Sequence, residues 1–147
     1  MLDVAGQRML LATSNFTLPY MSQSDEVLLK RWYEEVWNAG RESTITELMA
    51  PDMKMHGMGP EPLVGPEGFL PFFRDFRSKF EDIHIDVTQT VRQENMEVAN
   101  CHVTATHKES GKKVDFTGIC MGRLENGQFV EGWNQFDFGT MLQQLSS

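Results

Sequence analysis

Apolar residues recur along the chain first with a helical period and then with a period of two, and the change falls near residue 80. Leu29, Trp32, Tyr33, Val36 and Trp37 stand at i, i+3, i+4, i+7 and i+8, which predicts an amphipathic helix that Ser24 caps and Gly40 ends. A second, short helix carries Ile45, Leu48 and Met49, with Thr44 and Glu47 as a capping-box pair and Pro51 as its stop. A strand around Lys54 to Met58 follows. Gly65-Pro66-Glu67 then opens a third helix, because proline is tolerated in a first turn and an acid suits the positive end of the helix dipole. Its apolar stripe is Phe69, Phe72, Phe73, Phe76 and Phe80.

Beyond Phe80, Ile83, Ile85, Val87 and Val91 alternate with His84, Asp86, Thr88 and Thr90, the mark of a half-exposed strand. Further strands are expected around Glu97 to His107, Val114 to Leu124 and Phe129 to Asp137, with turns at Ser110-Gly111 and Asn126-Gly127. Gly139 to Leu145 reads as a closing helix, for which Asp137 is the N-cap. Helices followed by an antiparallel meander make an α+β order, which argues against a parallel nucleotide-binding sheet. Gly118, Gly122 and Gly132 interrupt strand patterns; we read them as curvature around a cavity.

A chain of 147 residues fits one domain and buries about 70% of its unfolded surface. The formal net charge of −8 argues against nucleic acid or an anionic membrane as partner. Cys101 and Cys120 form neither a CxxC motif nor a disulfide framework, so they read as reduced, buried residues. Met9 to Ala12 is too brief an apolar run for a secretory signal, and the chain reads as cytoplasmic. Residues 1–20 form an extended start, a disordered tail or an arm against a partner, and 21–147 form the domain. The sequon Asn15-Phe16-Thr17 is read as chance.

Several segments together resemble a known family: Trp37-Asn38-Ala39-Gly40, Ala50-Pro51-Asp52, Gly65-Pro66-Glu67-Gly68-Phe69, Phe80-Glu81-Asp82, and the ending Glu131-x-Trp133-x-x-x-Asp137 with Leu142-Gln143-Gln144-Leu145. The chain is similar in these to SnoaL-like polyketide cyclases of the nuclear transport factor 2-like superfamily. The resemblance implies an α+β cone, in which a curved mixed or antiparallel sheet wraps the N-terminal helices and encloses an apolar pocket. It also implies a homodimer and a cofactor-free intramolecular aldol ring closure.

Aldol closure needs a base beside a carbonyl and an acid for the new alkoxide, and a desolvated carboxylate can serve as both. In the cyclases that carboxylate lies three residues before the aspartate of the ending motif, which here is Asn134. An amide shuttles no proton, although its NH2 could donate to an enolate or a ligand carbonyl. The resemblance also sets Trp37, Phe72 and Cys120 where the cyclases carry a tyrosine, an asparagine and a histidine, so the pocket is more apolar. Of two enzyme templates on this cone, the epoxide hydrolase set of Asp, Arg and Asp has no match on the strand Glu97 to His107. The ketosteroid isomerase template needs a buried carboxylate, and none is placed.

Candidate site residues are therefore His56 as acid or base and Asn134 as orienting amide, within a pocket of Tyr33, Trp37, Met58, Phe69, Phe72, Phe73, Gly118, Cys120 and Phe136. A structural histidine, a core tyrosine and plain core phenylalanines are the competing readings. Two registers are open for the last hairpin. A three-residue loop Glu125-Asn126-Gly127, which we favour on the resemblance, pairs Gly118 with Asn134 and Cys120 with Gly132. A two-residue turn pairs Ile119 with Asn134. Glu131 and Asp137 fall on the face opposite Asn134, toward solvent or a dimer partner. His102 and His107 point to opposite faces, against a shared metal. The ligand expected is a small hydrophobic molecule with a carbonyl or hydroxyl. Three roles stay open: enzyme, binding module, or a dimerisation scaffold whose cavity Trp37, Phe72 and Phe73 fill.

Overall fold

The computed structural model describes residues 27–147; Ser24, the sequon and the extension 1–20 lie outside the described residues. A helix begins as α1 (Leu28–Arg31) and continues as a π-helical segment, Trp32–Asn38. Its wider turn is closed by the Ala39 N–H donating to the Glu34 carbonyl five residues back (3.0 Å). Pairs four apart still share a face in this geometry, so Trp32, Tyr33, Val36 and Trp37 are all buried. Gly40, at φ 72°, ends it as expected.

The start of this helix is capped from far away. The carboxylate of Glu97, with no exposed surface, accepts from the backbone N–H groups of Leu28 (3.2 Å) and Leu29 (3.0 Å). Arg92 donates to the same carboxylate at 2.6 Å. Glu97 is thus the buried carboxylate that the sequence did not reveal, spent on a helix terminus.

Helix α2 (Glu42–Leu48) starts three residues earlier than expected. Thr44 lies inside it, with its hydroxyl donating to Glu35 (2.7 Å), while Glu47 takes Arg31 across 2.8 Å. No capping box forms, because each residue found a partner on the first helix. Met49 opens strand β1 (Met49–His56) instead of ending α2, and Pro51 sits where the pairing of β1 slips between Met49 and Lys54. A missing N–H is harmless at such a break.

After β2 (Leu63–Val64) and α3 (Gly65–Lys79) come the long strands β3 (Phe80–Gln93), β4 (Met96–His107), β5 (Lys113–Glu125) and β6 (Gln128–Phe136), then α4 (Phe138–Ser146). Among the described residues the six strands form one sheet in the order β2-β1-β6-β5-β4-β3. All neighbours are antiparallel except β1 and β6. Register slips in β3 at Glu81/His84 and Val87/Gln89 bend the sheet around the helices. Asn38 docks the first helix on β3 by donating to the Ile85 carbonyl and accepting from its N–H (2.9 and 2.7 Å). Asp137 caps α4, accepting from the Thr140 N–H at 3.0 Å. The α+β cone is as expected.

The favoured hairpin register is corrected. Asn126 and Gly127, at φ 52° and 79°, form a two-residue turn with Glu125 opposite Gln128. A bulge then sets Arg123 against Glu131 but Leu124 against Phe129, leaving Val130 extra. Cys120 therefore opposes Asn134 and Gly118 opposes Phe136. The bulge restores the face that a bare two-residue turn would have reversed, so these four residues still share the concave side.

The strand glycines admit side chains rather than curvature alone. A Cβ on Gly118 would lie 2.3 Å from the Phe136 ring, and one on Gly122 would lie 2.7 Å from Phe129. Gly118→Ala is expected to destabilise the fold by about 1–3 kcal/mol, read as a lower urea midpoint. An unchanged midpoint would mean that the Phe136 ring moves aside freely.

Candidate functional site

The concave face of the sheet and the two larger helices line a cavity that is partly open to solvent. The first helix contributes Trp32, Tyr33 and Trp37, α3 contributes Phe69, Phe72 and Phe76, and the strands contribute Met55, Ile85, Val103, Phe116, Asn134 and Phe136. Met58, Ile83 and Phe138 complete the lining. Trp37 stands edge-on to Phe69 (86°) and to Phe76 (87°), an arrangement that sets positive ring edges against negative faces.

Of the expected pocket residues, Tyr33, Trp37, Met58, Phe69, Phe72, Phe136 and Asn134 line this cavity. Phe73 does not: it is 1% exposed and packs in the core behind Trp37. Gly118 lies under the Phe136 ring. Cys120 lines a smaller adjoining cavity, which shares Trp32, Tyr33, Met55 and Asn134 with the first. Trp37 and Phe72 border the space without filling it. Met55, Ile85 and Val103 were missed, although each is an inward position of an alternating strand.

His56 does not join them. In β1 the side chains alternate, Met53 and Met55 inward, Lys54 and His56 outward. The His56 ring stacks on Trp133 (5.8 Å, 21°), and its Nε2 lies 2.8 Å from Glu131. Arg123 donates to the other oxygen of Glu131 at 3.2 Å. His56 and then Arg123 hold the Glu131 carboxyl below its ordinary range. His56, expected as the cavity's acid or base, thus lies outside the cavity lining and against Glu131. His102 pairs with Asp115 and His107 with Ser110.

His56 meets Asn134 only through its backbone: the Asn134 Nδ2 donates to the His56 carbonyl at 2.8 Å. Gly57 makes that approach possible. At φ 93°, any Cβ there would fall 2.0 Å from the Asn134 carbonyl oxygen. The same left-handed step turns the chain so that Met58 reaches the cavity.

Tyr33 and Cys120 share the smaller cavity, and burial pushes the Tyr33 hydroxyl well above the ordinary phenol range. The two buried thiols shift in opposite directions, each through the other, Cys101 up and Cys120 down. Among the described residues Tyr33 is the one titratable side chain of the larger cavity, and it stays protonated.

A family model described as SnoaL-like polyketide cyclase matches residues 27–145. No curated protein matches the chain. Among solved structures, wild-type IdmH of Streptomyces antibioticus, a candidate polyketide cyclase, superposes with a TM-score of 0.70 at 28% identity. The match covers 79% of this chain and 94% of IdmH. A candidate SnoaL-like polyketide cyclase from Jannaschia sp. CCS1 gives 0.74 at 20% identity over 81% and 89%. A Catenulispora acidiphila protein with a ketosteroid isomerase-like fold, in complex with trimethylamine, gives 0.70 at 14% over 79% and 89%. These last two speak to the fold alone.

Proposed function

The chain belongs to the SnoaL-like polyketide cyclase family, and from that premise we propose that residues 21–147 form a cone domain holding a small, largely apolar molecule. The observation that carries this is the aromatic lining of the cavity, with an amide, Asn134, in its wall. Burying a ligand there removes apolar surface from water, worth about 25 cal/mol per Å2.

The binding role is favoured over the aldol closure. The position where the resemblance puts the proton shuttle is Asn134, and the one titratable group that lines the cavity among the described residues, Tyr33, stays protonated. The described lining thus offers no base beside a substrate carbonyl. The domain works as a homodimer without cofactor in this reading. Among the described residues no helix is long and apolar enough to cross a membrane.

The test is a titration of Trp32 and Trp37 fluorescence with a neutral bicyclic aromatic compound, in a Trp133→Phe background. Saturable quenching is expected, and Ile83→Phe, which fills the cavity, should weaken binding at least tenfold. Quenching that never saturates would sink the proposal. Native mass spectrometry of the same protein reads the dimer.

A further inference from the structure

We propose that Asn134 selects ligands that donate a hydrogen bond to it, so that the cavity takes a neutral hydroxyl or N–H compound and rejects an anion. This rests on the cavity being the binding site.

The orientation of the amide follows from its neighbour. A backbone carbonyl can only accept, so the Asn134 atom 2.8 Å from the His56 oxygen must be the nitrogen. Gly57 permits the close approach, because a Cβ there would collide with the Asn134 backbone, and turning the amide over would set Oδ1 against the His56 carbonyl oxygen. The amide therefore cannot turn over to present its NH2 in place of its oxygen. Oδ1 is left as an acceptor in a side chain that borders both cavities.

Among the described residues the one hydrogen bond of the Asn134 side chain is its donation to His56, so no protein group there satisfies Oδ1. Asn134 is half-buried, so water can serve that oxygen in the open cavity, and a ligand that displaces the water must replace it with a donor of its own. A ligand carboxylate or enolate would do the reverse, setting negative oxygen against Oδ1. Among the described residues no lysine, arginine or histidine lines the cavity to compensate. With one N–H held by the His56 carbonyl, the amide offers Oδ1 as an acceptor, which the enolate-binding role suggested in the sequence did not use.

Three bicyclic probes of similar size separate the possibilities: 2-naphthol, 2-methoxynaphthalene and 2-naphthoate, titrated near pH 7 in the Trp133→Phe background. Naphthol should bind about five- to tenfold more tightly than its methyl ether, the ratio expected for one hydrogen bond. Naphthoate should bind more weakly than either. In Asn134→Leu, with folding verified by its thermal melt, the ether should still bind and naphthol should lose its advantage. Equal binding of naphthol and ether, or preference for naphthoate, overturns the inference and leaves the cavity standing. Failure of all three probes overturns the binding reading itself.

Discussion

Glu97→Ala should lower the stability of the fold by about 3–5 kcal/mol, the range for breaking a buried, hydrogen-bonded ion pair from one side. Glu97 has no exposed surface, and its two oxygens serve two helix N–H groups and the Arg92 guanidinium. Alanine leaves those N–H groups buried without an acceptor and the positive end of the helix without its counter-charge. Glu97→Gln keeps one acceptor oxygen and should cost less, about 1–2 kcal/mol. Urea unfolding of the two variants measures both. The helix carries Trp32, Tyr33 and Trp37 into the cavity, so the alanine variant should also lose probe binding at temperatures where it is partly unfolded. An alanine variant within 1 kcal/mol of the parent would mean that water reaches this helix end.

Asn134→Asp should make stability depend on pH and open a route to proton transfer. One carboxyl oxygen would sit where Nδ2 now lies, 2.8 Å from the His56 carbonyl, and two acceptors at that distance repel. The oxygen must carry the proton, so the folded-state pKa rises above its unfolded value of about 3.9. The sign follows. Below about pH 3.9 the acid is neutral in both states and the variant matches the parent. As pH rises toward the folded pKa, the variant loses up to about 1.4 kcal/mol per pH unit relative to the parent, and the loss levels off above it. Paired thermal melts from pH 3 to 8 read the difference. A variant that tracks the parent throughout would refute the amide orientation. The same raised carboxyl is a competent acid and base, so ring closure of a polyketide precursor should run about 100- to 10,000-fold faster in the variant than in the parent. Equal rates would remove the argument that Asn134 disables the reaction.

What local pattern could carry, it carried. The helical stripe from Leu29 to Trp37, the proline-opened third helix, the alternating strands and the Asp137 cap each depend on residues within a turn or a pleat of one another. The apolar character of the pocket followed, because Phe69, Phe72 and Trp37 were already on inward stripes.

What the chain's order did not contain were the meetings between distant residues. Glu97 reads as the first residue of a strand until a helix 69 positions earlier docks on it. His56 reads as a pocket base until the alternation of β1 is anchored by Met53 and Met55 facing inward. Asn126-Gly127 signals a turn, but not the bulge at Val130 that brings Cys120 opposite Asn134. The hydrogen bond that orients the Asn134 amide spans 78 residues. Periodicity is a short-range property of the chain, and it specifies elements and their buried faces. Capping by a remote carboxylate, strand register past a bulge and the direction of an amide are set by which surfaces meet, and the tertiary structure alone decides that.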